Sequence, residues 1–485
     1  MQPSPARMFA LLVVATTLLV SAAMPAATAP QAPSSKVSDA VLQDTLSGAE
    51  ASFLVVLKSK ADVSGAAVLS TKQEKGRFVF DTLRDHADRT QAPIKSLLER
   101  LGAPYRSHFL VNLLTVTGNR AVVDALAARS DVARIEANPW VKSAILPEAP
   151  ARPAGDESPA TIEWNVTRVK APRAWRMGYL GEGISLGNID TGQQWTHPAL
   201  KPQYRGWNGV SADHNHNWYD ATNPNNQSPV DPHSHGTHTA GTMVGDDGGS
   251  NQIGVAPRAD WLGCRSMDSA GFGSPDTYIT CFEFMIAPWD LNGQNPDPAL
   301  APVAVSNSWY CSISLEGCTQ GVLFETVQNV RAAGIVPVVA AGNTGPSCES
   351  IADDGPPAQY DESYTVGATT MANGLASFSS RGPASFMGDT FIKPDIVAPG
   401  ASVRSSVPTN SYAIFDGTSM ATPHIAGAIA LIYSAKPNLI GNVDGTEQLI
   451  NRAATHFNSS ACESNGSFPN NLFGWGLLNV AKAVR

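Results

Sequence analysis

The chain has 485 residues, 43 % apolar and only 15 % charged, with 41 Gly and 35 Pro; this excludes a charge-driven disordered protein and leaves room for roughly two to four turn-rich domains. The formal charge of −9 is uneven: through Thr161 there are 17 Lys and Arg against 15 Asp and Glu, and beyond it 16 against 27. So acidic a main body excludes generic affinity for nucleic acid or anionic lipid, which needs clustered Lys and Arg.

Arg7 precedes an apolar run over 8–20 and then the small residues Ser21, Ala22 and Ala23, the pattern of a secretory leader, assigned to residues 1–29. The run is short for a membrane span, and no later segment is long and apolar enough for one. Next come a strand over 52–57, a helix over 73–101, a strand over 109–116, a helix over 119–129 and a strand over 132–136. Asn119 caps the second helix, and Val122 and Leu126 recur on one face. This β-α-β-α-β order predicts a small α+β unit within 37–145. Residues 146–161 carry Pro147, Pro150, Pro153 and Pro159 and almost nothing to bury, so they read as an exposed linker and processing region.

Over 162–485, strands at 184–189, 261–264, 304–308, 336–341 and 364–368 alternate with helices, the clearest at 322–333 and 420–435. The alternation predicts a parallel α/β sheet with helices on both faces and ligands at the carboxyl ends of its strands. The six cysteines, Cys264, Cys281, Cys311, Cys318, Cys348 and Cys462, all lie in this part. An even number in an exported chain predicts disulfides, with Cys311–Cys318 the preferred local pair and the other pairings open. No paired C-x-x-C units favour structural zinc.

Three motifs sit at element boundaries. The first strand ends in Asp190-Thr191-Gly192, a carboxylate leaving a buried strand. His235-Gly236-Thr237-His238 opens a helix whose small residues permit close packing. Gly417-Thr418-Ser419-Met420-Ala421 places a serine hydroxyl at the positive end of a helix, where an oxyanion is stabilised. Taken singly, each has an ordinary structural reading as turn, packing helix or N-cap. Together they supply orienter, base and nucleophile. Asn343, ending the strand Val338-Val339-Ala340-Ala341-Gly342, adds an amide donor for an oxyanion. Zinc bound by the histidine cluster is the competing reading, but no H-E-x-x-H helix is present. An esterase of the α/β-hydrolase type is disfavoured because that fold orders Ser, acid, His and carries G-x-S-x-G.

In that order, the three motifs resemble the subtilisin-like serine proteases, over about 162–485, and among them the bacillopeptidase F-like subgroup through Trp195-Thr196-His197-Pro198-Ala199-Leu200 and Asp290-Leu291-Asn292-Gly293-Gln294. The resemblance implies a subtilisin-like catalytic domain in which Asp190, His235 and Ser419 form the triad, Asn343 and the Ser419 N–H bind the oxyanion, and His238 is structural. It further implies that Ser308, Trp309, Tyr310, Ala341 and Gly342 bind an extended peptide substrate. By the same resemblance, residues 37–145 are an inhibitory propeptide of ferredoxin-like fold whose exit segment, 138–145, lies in the substrate groove. The expected product is a secreted, monomeric serine endopeptidase made as a zymogen, matured between Ala144 and Glu163, that needs no cofactor for catalysis. Two departures stand out. Tyr310 occupies a position where the family usually has Gly, which alters the first specificity pocket. The acidic loops 213–220 and 246–251 are the candidates for structural calcium, though neither has EF-hand spacing.

Overall fold

The computed structural model describes residues 1, 35–142, 162–313 and 317–485. The expected leader beyond Met1 and the linker lie outside the described residues. In the N-terminal unit, β1 (Ala51–Leu57), β2 (Tyr105–His108), β3 (Leu113–Gly118) and β4 (Val132–Ala137) form an antiparallel sheet in the order β2-β3-β1-β4. With the helices Lys72–Leu101 and Arg120–Ala127, the chain order is the β-α-β-β-α-β of a ferredoxin-like fold. The long helix starts at a capping box, in which the Thr71 hydroxyl accepts from Glu74 N–H and the Glu74 carboxylate accepts from Thr71 N–H.

Of the strand expected over 109–116, residues 109–112 are a turn and only 113–116 are strand, the start of β3; β2 precedes the turn. No Gly or Pro marks that turn. It is held from outside the unit, by the Glu283 carboxylate accepting from the Phe109 and Leu110 N–H groups. Strand β1 explains why the two units associate. Its side chains alternate, so Phe53, Val55 and Leu57 face a core with Ile94, Leu98 and Leu126 of the unit's own helices. Leu54 and Val56 face the other way and join a core that contains Ile279, Phe282 and Val327 of the large unit. The sheet is therefore buried on both faces only when the units are docked.

Polar contacts fix the docking register. Lys72 and Lys75 donate to the carbonyls of Ala301 and Gly441 at 2.7 and 2.9 Å, and Asn329 donates to the Leu110 carbonyl at 2.7 Å. Beyond β4, the short strand β5 (Val141–Lys142) leaves the unit and pairs antiparallel with a strand of the large unit, β9 (Phe272–Gly273).

The large unit is built on β6 (Ser185–Asp190), β7 (Trp218–Asp220), β8 (Asp260–Arg265), β10 (Ala304–Asn307), β11 (Val336–Ala340), β12 (Tyr364–Thr369) and β15 (Ile396–Pro399). They form one parallel sheet in the order β15-β12-β11-β10-β6-β8-β7. Two hairpins, β13 (Ala384–Phe386) with β14 (Asp389–Phe391) and β16 (Val403–Val407) with β17 (Ser411–Phe415), lie outside it. Leu186 and Trp261 point to the face covered by the helices His235–Val244 and Thr418–Ala435. Ile189 and Leu262 point to the face covered by Pro275–Ile286 and Phe324–Ala332. Sequence reading found the sheet but missed Pro275–Ile286, because nearly every side chain of that helix is buried and no polar face marks its period.

Three disulfides form: the expected Cys311–Cys318, Cys264–Cys281 joining β8 to the helix Pro275–Ile286, and Cys348–Cys462 joining the loop after Asn343 to the C-terminal segment. Among the described residues, no helix is long and apolar enough to cross a membrane.

Candidate active site

Asp190 is the last residue of β6 and is fully buried. Its Oδ1 accepts from Thr191 N–H and lies 2.7 Å from His235 Nδ1, while Oδ2 accepts from the Thr239 hydroxyl at 3.0 Å. Fully surrounded by donors, this carboxylate holds the imidazole ring with its Nδ1–H inward. The other ring nitrogen, His235 Nε2, is buried and has no hydrogen-bond partner. His235 opens its helix after Ser234, whose φ is 92°. That turn depends on Asp231, which the sequence analysis did not single out. Its Oδ1 accepts from the His233 and Ser234 N–H groups and the Thr191 hydroxyl, and its Oδ2 from the Thr237 N–H and hydroxyl. No local rule marks Asp231, since the capping position before His235 is Ser234.

Gly236 sets how near the helix comes to the strand. A Cβ there would stand 2.0 Å from the Gly192 carbonyl oxygen and 3.0 Å from Asp190 Cβ. Gly236→Ala is therefore expected to cost about 1–3 kcal/mol of stability and to displace His235 from Asp190. Thermal unfolding should show a lower midpoint and peptide turnover should fall together; an unchanged midpoint would contradict the packing argument.

Ser419 lies in the first turn of the helix Thr418–Ala435, where backbone N–H groups have no intrahelical acceptor. Its hydroxyl donates to the Ser308 carbonyl at 3.2 Å, and the Ser308 hydroxyl donates to the Ser419 carbonyl at 3.0 Å. In this state the serine is thus turned to Ser308 instead of to His235 Nε2, a looseness common where substrate completes the alignment. Asn343 follows β11. Its Oδ1 accepts from Thr418 N–H at 2.9 Å and the Thr418 hydroxyl at 3.0 Å, which directs the amide NH2 away from Thr418 as a donor.

Of the residues expected to bind substrate, Ser308, Ala341 and Gly342 sit at the carboxyl ends of the neighbouring strands β10 and β11. Trp309 differs. Its ring stacks on Tyr278 at 3.8 Å and donates to the Ile189 carbonyl, so the side chain belongs to the core and leaves only backbone for substrate. Tyr310 is buried as well, at 3 % exposure.

The other histidines are occupied elsewhere. His238 lies against Phe415, with Nε2 at 3.1 and 3.2 Å from the Val403 and Ala413 carbonyls, and burial pushes its pKa down to about 3. His214 bonds Tyr204 and His216 bonds the Asn295 carbonyl. Among the described residues, no group of three or more His, Cys, Asp or Glu is placed to hold a metal ion. In the acidic loops, Asp246 and Asp247 accept from backbone N–H groups of their own turn, and Asp220 pairs with Arg265 at 3.0 Å. Among the described residues these contacts do not define a calcium site.

An inward-held imidazole beside a helix-borne serine and a pinned amide, all at the carboxyl edge of a parallel sheet, is the layout of a Ser-His-Asp hydrolase. The chain belongs to the subtilase family of serine peptidases, whose sequence profile matches residues 181–476. It is 35 % identical to bacillopeptidase F of Bacillus subtilis (strain 168) over 461 residues, 91 % of this chain but 31 % of that much longer relative. It is 29 % identical to subtilisin E of the same organism over 435 residues, covering 89 % of this chain and 96 % of the relative. Subtilisin of Bacillus pumilus is 33 % identical over 327 residues, 67 % of this chain and 99 % of the relative.

Proposed function

We propose that this chain is a secreted serine endopeptidase made as a zymogen, hydrolysing peptide bonds of extended substrates through a covalent acyl-enzyme. The observation that carries this reading is the buried Asp190–His235 pair, with Nε2 unpartnered on the side away from the carboxylate. His235 Nε2 takes the Ser419 proton as Oγ adds to the scissile carbonyl, and Asp190 stabilises the imidazolium. The tetrahedral oxyanion is held by the Asn343 amide and the Ser419 N–H. His235 then gives its proton to the leaving amine, and water repeats the sequence on the acyl-enzyme. No cofactor enters these steps. The protein acts as a monomer on protein or peptide substrates.

Residues 37–145 act as an inhibitory propeptide. Support comes from β5, an extended segment of this unit laid antiparallel on β9, the way a substrate strand would pair. A slow-folding parallel sheet gains from a preformed surface such as β1–β4 supplies. N-terminal sequencing of the secreted protein beside Ser419→Ala tests the zymogen reading. A new N-terminus between Ala144 and Glu163 in the wild type and its absence in the variant are expected. Equal processing of both would refute autocatalytic maturation.

Docking should weaken at high pH. His108, fully buried in the interface, lies 3.1 Å from Glu283 and 2.9 Å from Asp276, while Arg106 pairs with Asp276. Burial opposes a charged ring, but the two carboxylates overcome it and hold the pKa up to about 9, against an ordinary 6.5. Tyr219, the other titratable group nearby, stays neutral through this range, its pKa raised chiefly by burial. A raised pKa in the docked state means the contribution is full below 6.5 and is lost as pH rises through 9. The expected weakening is on the order of 10²-fold in affinity. Gel filtration should show the cleaved units together at pH 6.5 and separating at pH 10, with the pH effect flattened in His108→Gln; identical elution at both values would contradict it.

A further inference from the structure

One buried carboxylate near the site has no role in the steps above. Asp354 is 2 % exposed and is the last residue of the short helix Ser350–Asp354. Burial, and less strongly the neighbouring Asp353, raise its pKa to about 6, against the hydroxyls of Ser380 and Thr344, which hydrogen-bond to it. Those donors are neutral, and among the described residues no Lys, Arg or His forms an ion pair with it. A carboxylate in such a place is stabilised when a cation arrives.

Its location says which cation. A Cβ built on Gly342 would stand 1.9 Å from Asp354 Oδ2, so the carboxylate lies directly on the side-chain face of Gly342, one residue before Asn343. Gly342 has a φ of 103°, which itself favours glycine, and any side chain there would take the carboxylate's place. The following residue, Gly355, lies against segment 311–313: a Cβ on it would stand 2.9 Å from the Cys311 carbonyl oxygen and 3.1 Å from Ile313 Cγ1, and Cys311 N–H donates to the Pro356 carbonyl at 2.9 Å. Segments 308–311, 341–343 and 354–356 therefore converge. On the proposed function, a substrate carbonyl held by Asn343 and the Ser419 N–H brings the side chain of that same residue beside Gly342, and so to Asp354.

We propose that Asp354 determines specificity, and that the enzyme selects an arginine or lysine side chain immediately before the cleaved bond. The guanidinium or ammonium group is received by the Asp354 carboxylate, with Ser380 and Thr344 holding that carboxylate in place. This proposal rests on the endopeptidase reading and adds the substrate class to it. Asp353, exposed beside it, adds to the negative field, and the missing side chain of Gly342 is what lets the carboxylate reach the strand end next to Asn343.

The test uses the matured enzyme and one peptide series differing only at the residue before the scissile bond: Arg, Lys, Leu, Phe and Ala. For the wild type, kcat/KM for Arg and Lys is expected to exceed that for Leu by 10²-fold or more, and Asp354→Asn is expected to shrink that ratio by about 10²-fold. Benzamidine should inhibit the wild type competitively at concentrations where neutral benzamide does not, a readout independent of how well the variant folds. A wild type preferring Leu or Phe, a ratio unmoved by Asp354→Asn, or equal effects of benzamidine and benzamide would overturn the proposal. Failure of a fluorophosphonate to label Ser419, with no turnover of any peptide, would instead remove the endopeptidase reading and this proposal with it.

Discussion

Ser419→Ala is expected to lower peptide turnover by about 10⁶, the scale measured when the nucleophile of subtilisin is removed. Ser419 is in the first turn of the helix Thr418–Ala435, and its hydroxyl is joined to Ser308 by a single hydrogen bond. Losing that bond leaves the reciprocal Ser308 bond to the Ser419 carbonyl in place, so the helix start should keep its position. His235→Ala should cost a similar amount, and the double variant little more, because base and nucleophile act as a unit. Asp190→Asn should cost about 10⁴, since an amide that turns its NH2 toward His235 Nδ1 favours the wrong imidazole tautomer. Steady-state rates on an extended peptide, with unfolding midpoints as a control, check all four variants. Turnover by Ser419→Ala within tenfold of the wild type would refute the nucleophile assignment.

Asn343→Ala is expected to lower turnover by about 10²–10³, the measured cost of losing the corresponding donor in subtilisin, with a much smaller change in KM. The donor acts on charge that develops only as the tetrahedral species forms, so its loss is felt in the barrier more than in binding. Thr418 gives a second handle. Its N–H and hydroxyl both bond Asn343 Oδ1, and its hydroxyl also bonds the Gly342 carbonyl. Thr418→Val keeps the shape and removes the hydroxyl, so it should reproduce part of the Asn343→Ala loss, while adding nothing once Asn343 is alanine. A full additive loss in the double variant would show that Thr418 acts by another route.

The chemical groups of the site were legible in the sequence because each lies in a short motif with little freedom of residue type. Asp190 ends β6, His235 opens its helix, Ser419 lies in the first turn of its helix and Asn343 follows the end of β11, and such boundaries carry strong local signals. What the motifs could not show is how the groups are held. Asp231 acts through a loop whose shape follows from packing, and Thr418 acts across a gap of seventy-five residues to Asn343. The burial of the Trp309 ring was not legible either, because adjacency to Ser308 in the chain says nothing about which way a bulky ring turns. The turn at 109–112 was invisible for a related reason. Its N–H groups are satisfied by Glu283, 174 and 173 residues away, and no local composition reports such a partner. The uneven charge, by contrast, matches the division of the molecule: the near-neutral part contains the docked N-terminal unit and the acidic part the parallel-sheet unit.

The measurement that tests the central claim most directly is labelling of the matured protein with a fluorophosphonate, followed by mapping of the modified peptide, with Ser419→Ala treated in parallel. Stoichiometric modification at Ser419, loss of peptidase activity in step with labelling, no labelling of the variant, and no protection by a metal chelator are expected. Peptide hydrolysis that persists in the fully labelled protein, or that a chelator abolishes while labelling fails, would contradict that claim.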